Sequence, residues 1–594
     1  MSSASRITSL FILTLFSITV GISLSAQPLS ESIRLNQLGF YPSAPKVAIV
    51  VGDASGPFEI TTPDLKTVVF KGVLGPARQN SISGKTTHTA DFSDFKSVGT
   101  FVVRIPGVGH SYPFSIKADV FQAAAIGSLK GFYYQRASVG LPATYAGKWS
   151  RPAGHPDTHV LIHPSAASAN RPAGTIISSP GGWYDAGDYN KYIVNSGITM
   201  GTLLSLYEDF PAYCQRLKTN IPESTNALPD LLDEALWNLR WMLTMQDPTD
   251  GGVYHKLTNP GFDGMVMPDK ATKDRYVVQK SNTATLDFAA VMAQASRLFK
   301  PYNRQLPGLA DSCLTAAVHA WQWAKKNPDL YYRQNDMNQR LDPDVTTGGY
   351  EDKDASDEWI WAASELYVTT KDEAYATAVN LFPDDKTPLP SWAQVRTLGY
   401  YTLARMAKDK PLRNQDVVTQ AKKHVVGLAN TLIEGVDQQA FGTVMGKSTR
   451  DFIWGSSAEA ANQGIALIQA YRLTNDRKYL NYALTNLDYL FGRNAVGYSF
   501  LTGFGQKSTL NPHHRPSVAD GIQAPVPGLL SGGTNANAAR QDKCSGYTTT
   551  IADEVYLDQS CSYASNEIAI NWNAPMVYLT AAIEALQREA VAKQ

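Results

Sequence analysis

The sequence lacks an excess of charge of either sign. Its 53 Lys and Arg residues balance 53 Asp and Glu residues, so no net positive field is present to hold nucleic acid or an anionic membrane. Charged residues make up only 18% of the chain and apolar residues 43%, a balance that excludes extensive disorder and supports a large core. Composition therefore predicts a globular protein with an uncharged partner, and leaves its oligomeric state open.

Cysteine is scarce, with four residues in a chain of 594. A chain of this length is stabilised by its core and does not depend on a disulfide scaffold. Cys544 and Cys561 lie close together in a Gly- and Ser-rich segment, where both a bridge and two free thiols are compatible with the spacing. Cys214 and Cys313 are predicted to be ordinary buried thiols.

Long apolar runs are absent except at the N terminus. Arg6 precedes a mostly apolar run over residues 7–24, which Ser25 and Ala26 follow. This order is typical of a secretory signal peptide over residues 1–26; the alternative is an uncleaved membrane anchor, for which the run has about the minimum length. We predict a secreted or periplasmic protein that has no contact with the membrane after cleavage.

Two kinds of pattern divide the remaining chain. Residues 27–117 contain short Val-, Ile-, Phe- and Thr-rich runs, such as 46–51, 68–73 and 99–105, separated by turn residues, which predicts a small β-sandwich. From residue 118 to 594 apolar residues recur at helical spacing in about eleven segments. Unusual residues concentrate in two connecting segments, 179–190 and 491–573, where a rigid scaffold would carry its chemistry.

Three carboxylic acids stand out in these segments. Asp185 and Asp188 are separated by Ala and Gly, and in a tight turn both can converge on one water molecule as a general base requires; calcium binding and helix capping are the alternatives. Glu567 precedes an apolar run, and apolar surroundings keep a carboxyl group protonated, as a general acid must be. An acid and a base are the minimum equipment for glycoside hydrolysis.

Three longer motifs resemble glycoside hydrolase family 9, the family of inverting cellulases. Gly182–Asp188 resembles its Asp-Ala-Gly-Asp motif, Ser499–Arg515 its histidine signature, and Tyr556–Ala574 its Asp/Glu signature. The segment Ile33–Phe40 resembles the N-terminal immunoglobulin-like domain found in part of the family. The resemblance implies a mainly α protein, in which a small all-β immunoglobulin-like sandwich precedes an (α/α)6-barrel catalytic domain.

The same resemblance implies roles for single residues. Asp188 would be the general base, Asp185 would help to hold the nucleophilic water, and Glu567 would protonate the leaving oxygen. His513 and Arg515 would hydrogen-bond sugar at the cleavage subsite, and Asp558 would support the acid or its loop. The remaining candidates are aromatic side chains for stacking against sugar rings, each of which could instead belong to the core: Tyr350, Trp454 and Tyr563.

Metals are expected to have no part in the chemistry. Many relatives with this N-terminal domain resemble one another in a structural zinc site of two Cys and two His, but the corresponding stretch, residues 136–157, contains no cysteine. Without cysteine thiolates, His155, His159 and His163 are not expected to form a closed structural zinc site. We therefore predict no zinc. Asp357 and Glu358 resemble a pair that binds calcium in some members, which suits carboxylate oxygens; the alternative is two acids that face solvent at a helix start.

The leading interpretation is a secreted β-1,4-glucanase that hydrolyses internal bonds of cellulose-type glucans by a single displacement with inversion. The alternatives within the family are xyloglucan, mixed-linkage glucan, and the chain ends of cello- or glucosamine-oligosaccharides. A noncatalytic glycan-binding protein and a polysaccharide lyase are alternatives of another class, because fold does not fix function. Retention of Asp185, Asp188 and Glu567 together argues against loss of catalysis.

Overall fold

The computed structural model describes residues 28–409 and 412–592. The predicted signal peptide over residues 1–26 lies outside these ranges. None of the helices within them combines the length and the apolar character that a membrane span requires. The described chain consists of a β-rich part followed by a helical part, in the order that the sequence patterns predict.

The N-terminal part is a sandwich of two sheets, with strand orders β1-β3-β7-β6 and β2-β10-β8-β4-β5, and with β9 paired to β8. Phe58, Ile60 and Val103 are fully buried between the sheets, since alternate residues of each strand face inward. The runs predicted at 68–73 and 99–105 are confirmed as β5 and β8. The strands are β1 Ile33–Arg34, β2 Gly39–Phe40, β3 Val47–Val51, β4 Pro57–Thr61, β5 Val68–Val73, β6 Arg78–Gln79, β7 Thr86–Asp91, β8 Gly99–Ile105, β9 Gly109–His110 and β10 Phe114–Ile116.

The helical part is an (α/α)6 barrel. In the described chain its outer helices alternate with inner helices along the sequence, and each inner helix packs against the next to close the ring. The outer helices are α1 Gln122–Tyr134, α3 Asp230–Thr244, α5 Leu309–Lys326, α7 Glu373–Thr377, α9 Gln415–Ile433 and α11 Arg477–Leu490. The inner helices are α2 Ile193–Asp209, α4 Asn282–Phe299, α6 Ser356–Thr370, α8 Arg396–Asp409, α10 Ser456–Thr474 and α12 Ile570–Ala592.

Local sequence explains where these helices begin and why the inner ones are covered. Side chains cap several helices, and at α4 the Ser281 hydroxyl accepts the Ala284 N–H at 3.2 Å. Nearly every residue of α2 is buried, as expected for a helix whose sequence is apolar or small on all faces. Gly201 lets α2 approach α6, because a Cβ there would lie 2.6 Å from the ring of Trp361.

A third sheet, of order β12-β11-β15-β14-β13, lies among the barrel loops. Its strand β13 begins three residues after Asp188, and pairing with β14 fixes the chain near that point. The strands are β11 Val160–Ile162, β12 Ile176–Ile177, β13 Lys191–Tyr192, β14 Lys256–Thr258 and β15 Arg275–Val277. Short helices in the loops are Ala143–Ala146, Pro211–Cys214, Gln334–Asn338, Arg515–Ala519, Ala538–Gln541 and Tyr563–Asn566.

The sandwich packs directly against the barrel. The Asn36 amide donates to Asp488 at 2.8 Å, and the Tyr41 hydroxyl donates to Glu584 at 2.6 Å. Both of these pairs are buried, where a satisfied hydrogen bond is costly to break. The two parts of the chain therefore support one another.

Candidate active site

The three predicted carboxylic acids lie on one cavity at the open end of the barrel. This cavity, which we call the cleft, has a volume of about 560 Å³, and Asp185, Asp188 and Glu567 line it. Its apolar surface is largely aromatic: Tyr192, Phe262, Tyr350, Trp392, Trp454 and Trp572. Apolar faces beside a few convergent polar groups are the usual composition of a ligand site, and they suit sugar rings. A second cavity of about 330 Å³, between the sandwich and the barrel, contains none of the predicted site residues.

Asp185 is fully buried and firmly held. Its Oδ1 accepts the Asn195 amide at 2.5 Å and its Oδ2 accepts the Tyr350 hydroxyl at 2.7 Å. Burial, with the neighbouring Asp188 as second cause, raises the pKa of Asp185 above its ordinary value. A carboxyl group offers about four acceptor sites, so Asp185 can hold a water molecule beside these two bonds.

Tyr350 is held in a strained conformation that delivers its hydroxyl to Asp185. Its φ of 45° lies in the left-handed region, which residues other than glycine rarely adopt and which costs about 1–3 kcal/mol. Its ring packs edge-on against Tyr192 and Trp392. Tyr350 therefore positions Asp185 while its ring forms part of the cleft wall.

Asp188 has one oxygen fixed and one oxygen available. Its Oδ2 accepts hydrogen bonds from the side chain and the backbone N–H of Asn190 and from the Tyr192 hydroxyl. Its Oδ1 accepts none from any residue in the described ranges, although the side chain is buried and lines the cleft. This arrangement orients a single acceptor oxygen into the cleft, where it can take a proton from water.

Glu567 lines the same cleft from the segment before α12. Burial is the main cause that raises the pKa of Glu567 well above its ordinary value, and the charges of Asp188 and Asp185 add to it. The Arg515 guanidinium and the Gly187 N–H oppose this shift, with smaller effects. These surroundings favour the protonated form of the carboxyl group, which is the state that a general acid needs.

The Asp185–Asp188 turn and the segment that contains His513 are in contact at Gly187. A Cβ at this position would lie 2.1 Å from the carbonyl oxygen of His513, so only glycine permits the approach. Arg515 stabilises this contact, because its guanidinium donates to the Gly187 carbonyl at 2.6 Å and to the Asp263 carbonyl at 2.8 Å. Arg515 is not among the residues that line the cleft, and these bonds hold the backbone of the Asp185–Asp188 turn; its expected contact with sugar stays a prediction.

His513 and Asp558 hold the loop beside the acid. The His513 Nδ1–H donates to the Ser560 carbonyl at 2.6 Å, which leaves Nε2 as the nitrogen without a described partner, and burial lowers the pKa of His513. Asp558 accepts the backbone N–H groups of Leu510 and Asn511 at 2.9 and 2.8 Å. Of the two roles that the resemblance implies for Asp558, its contacts favour support of the loop.

The aromatic candidates differ in position. Trp454 lines the cleft and is 40% exposed, which suits stacking against a sugar ring. Tyr563 lies behind it, with its ring 5.4 Å from Trp454 and 5.7 Å from His513, and its hydroxyl donates to the Gln541 carbonyl. Tyr563 is not part of the cleft lining, and it also packs against a small cluster of Ala538, Val555 and Ala564.

Sequence reasoning missed several cleft residues. Trp392 lies far from the recognised motifs, and no local pattern distinguishes it from a core tryptophan. Trp572 lies within the Tyr556–Ala574 motif, so its position beside Glu567 was a usable signal. Asn195 lies only seven residues beyond Asp188, at the start of α2. Its closeness to the motif in the sequence could have indicated that its side chain reaches the site. Lys256 is a further buried neighbour of Asp188, and burial lowers the pKa of Lys256 to about 7; it donates to the Gly348 carbonyl at 2.7 Å.

The four cysteines comprise one disulfide and two free thiols. Cys544 and Cys561 form a disulfide, and Cys214 and Cys313 are free and buried, as predicted. The bridge closes a loop that ends two residues before Tyr563. Closing a loop of this size stabilises by about 3 kcal/mol in the chain-entropy account.

We expect loss of this bridge to open the loop locally. A Cys544→Ser/Cys561→Ser variant should show amide hydrogen exchange over residues 542–561 that is faster by a factor consistent with about 3 kcal/mol. Exchange in α2 and α4 should be unchanged, which provides the internal control. Equal exchange in both proteins across 542–561 would contradict a stabilising role for the bridge.

The stretch that corresponds to the zinc site of relatives is held by other interactions. Arg136 forms bidentate ion pairs with Glu223 and Glu234. The Nδ1 atom of His155 is paired with the Tyr184 hydroxyl at 2.9 Å, and burial lowers the pKa of His155 to about 3. This donor set does not fit a structural zinc site, which needs converging thiolate or imidazole ligands.

The predicted calcium residues lie inside the protein. Asp357 and Glu358 are 3% and 0% exposed, so the alternative that both face solvent is wrong. Both oxygens of Glu358, and both oxygens of the nearby buried Asp287, accept no hydrogen bond within residues 28–409 and 412–592. Burial raises the pKa of both groups, and the charge of Asp357 adds to the shift of each. In the same ranges no three His, Cys, Asp or Glu side chains converge as a metal-binding group.

Comparison with known proteins identifies the family. The family model described as glycosyl hydrolase family 9 matches residues 121–580, and the one described as cellulase N-terminal ig-like domain matches residues 29–110. The xyloglucan-specific endo-beta-1,4-glucanase BoGH9A of Bacteroides ovatus is 46% identical over 97% of this chain and 98% of its own length. Endoglucanase D of Acetivibrio thermocellus is 32% identical over 92% of this chain and 83% of its own length.

Solved structures agree with the sequence relatives. The structure titled Bacteroides ovatus GH9 has a TM-score of 0.89 at 46% identity and covers 94% of this chain and 99% of that one. The structure of AaCel9A in complex with cellobiose-like isofagomine has a TM-score of 0.81 at 30% identity, over 93% of this chain and 99% of that one. Matches of this length, together with the three carboxylic acids on one cleft, show that the chain is a glycoside hydrolase that belongs to glycosyl hydrolase family 9.

Proposed function

We propose that this enzyme is a secreted endo-β-1,4-glucanase that cleaves the backbone of xyloglucan and related β-glucans with inversion at the anomeric carbon. The observation that carries the proposal is the meeting of Asp185, Asp188 and Glu567 on one cleft with aromatic walls. An acid and a base on a sugar-sized cleft provide the chemistry of glycoside hydrolysis. Export rests on the leader sequence over residues 1–26.

The proposed reaction is a single displacement. The Glu567 carboxyl group transfers its proton to the glycosidic oxygen while the bond from that oxygen to the anomeric carbon breaks. Asp188 Oδ1 accepts a proton from a water molecule held beside Asp185, and the water oxygen forms the new bond from the opposite face of the ring. One water is consumed, and the new reducing end has the α configuration.

The choice of xyloglucan is supported by a similar relative and by exposed apolar side chains of the cleft. BoGH9A, which is described as xyloglucan-specific, matches nearly the whole chain at 46% identity. Two apolar cleft residues, Phe262 and Ile453, are 48% and 47% exposed, and such surfaces can contact sugar beyond the backbone. The sequence alone favoured cellulose-type glucan as the substrate and gave xyloglucan as an alternative. With the relative and the cleft residues considered, xyloglucan becomes the proposed substrate and cellulose-type glucan the alternative.

The substrate proposal is tested by product analysis. Wild-type enzyme is given xyloglucan, mixed-linkage glucan, carboxymethylcellulose and chitosan oligomers, and reducing ends and product sizes are measured, with the Glu567→Gln variant as control. We expect a spread of oligosaccharides from xyloglucan, at a higher kcat/KM than from the other polymers. Release of only short products from chain ends would contradict internal cleavage. Binding without cleavage would favour a noncatalytic glycan-binding protein.

The pH dependence of activity should have an alkaline limb set by Glu567. Its carboxyl group must be protonated to act, and burial raises its pKa well above the ordinary value. Activity is therefore present below this raised pKa and is lost as pH rises through it. The measurement is kcat/KM against pH on a soluble β-glucan; a fall in activity with rising pH that begins near the ordinary pKa of a glutamic acid would contradict the assignment.

We also propose that Asp357 and Glu358 contribute to a structural calcium site without a part in the reaction. Their oxygen donors suit a hard cation, which completes its shell with backbone carbonyls and water. Calcium at about 100 times its dissociation constant stabilises a folded protein by about 2.7 kcal/mol. We expect the melting temperature to rise in calcium relative to EDTA, and Asp357→Asn/Glu358→Gln to abolish the difference. Identical melting in calcium and EDTA for the wild type would contradict the site.

A further inference from the structure

Glu459 is an acidic residue of the cleft that the proposed reaction does not use. It lies in the first turn of α10, in the sequence shortly after Trp454, and lines the same cavity as Asp188 and Glu567. Its side chain is half-buried. Neither a motif nor the assignment of acid and base gives it a role.

Glu459 differs from the other cleft acids in having no partner. Asp185 and Asp188 each accept hydrogen bonds from two neighbouring side chains. Within residues 28–409 and 412–592, no hydrogen bond or ion pair reaches the Glu459 carboxyl group. The charged neighbour that raises its pKa, Asp451, is also negative. The Asp451 carboxylate accepts hydrogen bonds from the backbone N–H groups of residues 446–448.

This arrangement is costly for the free enzyme. Glu459 is half-buried and lines the cleft, and partial removal of a carboxylate from water is unfavourable when no hydrogen-bond donor of the protein replaces the water. Burial, with the Asp451 charge as second cause, raises the pKa of Glu459 to about 7. The carboxyl group lines the cleft and is not paired with any residue in the described ranges, so it is available to a molecule bound there.

The surroundings of Glu459 indicate the chemistry of that partner. Trp454, 40% exposed, supplies an apolar face in the same cleft. Asn462, one turn after Glu459, lines the cleft and donates its amide to the Pro390 carbonyl at 3.1 Å. An aromatic face beside a carboxyl group that can accept two hydrogen bonds matches a sugar ring with adjacent hydroxyl groups.

We propose that Glu459 is a substrate-binding residue whose carboxyl group accepts hydrogen bonds from hydroxyl groups of the bound glucan at a subsite beside Trp454. The proposal rests on the proposed β-glucanase function and extends it to a specific contact. Because Glu459 is separate from the acid and the base, its contact is made equally in the ground state and the transition state. Losing such a contact raises KM and leaves kcat unchanged.

The test compares Glu459→Ala and Glu459→Gln with wild type and with Glu373→Gln, a control at an exposed position at the start of α7. We expect KM for xyloglucan oligosaccharides to rise about tenfold or more in Glu459→Ala and less in Glu459→Gln, with kcat within about twofold. The control should match wild type. The melting temperature of Glu459→Ala should be unchanged or higher, because no stabilising partner is lost.

Binding to the Glu567→Gln enzyme separates this proposal from the proposed function. Calorimetry with the same oligosaccharides should give about tenfold weaker binding when Glu459→Ala is added to Glu567→Gln. If the wild type binds glucan without cleaving it, this loss of affinity still supports the contact while the proposed hydrolysis fails. Equal affinity and equal KM with and without Glu459→Ala overturn the contact and leave hydrolysis standing. A wild type that neither binds nor cleaves β-glucan overturns both.

Discussion

Glu567→Gln is expected to lower kcat on xyloglucan by about 10²–10⁴-fold, the usual contribution of general acid catalysis. The amide keeps the size of the side chain but has no proton that it can give to the leaving oxygen. Burial raises the pKa of the wild-type carboxyl group well above its ordinary value, which favours the protonated form that the reaction needs. KM should change little, because the lost interaction belongs to the transition state.

An activated substrate provides the matched control for this variant. An aryl β-cellobioside with a strongly acidic phenol as leaving group needs no proton from the enzyme. Glu567→Gln should therefore lose far less activity on that substrate than on xyloglucan. Equal losses on both substrates would contradict the role of Glu567 as general acid and would indicate a structural defect.

Asp188→Asn is expected to lower kcat by about 10²–10⁴-fold on both kinds of substrate. Its Oδ1 is the acceptor oxygen that no described residue occupies, while Oδ2 is fixed by Asn190 and Tyr192. The amide cannot take a proton from water, and a better leaving group does not replace that step. Selective recovery on the activated substrate would show that the acid and base roles have been exchanged.

Asp185→Asn separates positioning from proton transfer. The Tyr350 hydroxyl and the Asn195 amide both donate to Asp185, and an amide side chain can satisfy only one of these donors with its oxygen. We expect activity to fall because the water is less well held, and to fall less than in Asp188→Asn. A larger loss at Asp185 would assign the base to that residue.

Much of the fold follows from periodicity in the sequence. The strands β5 and β8 were predictable to the residue because short β-rich runs are bounded by turn residues. The short outer helix α7, Glu373–Thr377, gave no helical period long enough to detect. The barrel arrangement came from resemblance, since the closing of a ring depends on contacts between helices distant in sequence.

Part of the candidate site could be predicted from the sequence, and part of it could not. Asp185, Asp188 and Glu567 were found from motifs because the chemistry restricts those residue types. Their surroundings depend on contacts across the fold, and the role of Arg515 as a brace for Gly187 is one example. Trp392 and Glu459 reach the cleft through folding alone. Single positions of this kind carry no sequence signal without the structure.

The central claim is that Glu567 and Asp188 act as acid and base on opposite faces of the scissile bond, with water as the nucleophile. Proton NMR of the anomeric signals during the first turnovers on a cello- or xyloglucan oligosaccharide tests it most directly. The account predicts that the α-anomer of the new reducing end appears first and the β-anomer follows by mutarotation. Initial appearance of the β-anomer would show retention, and would contradict the assignment of Asp188 as a base acting on water.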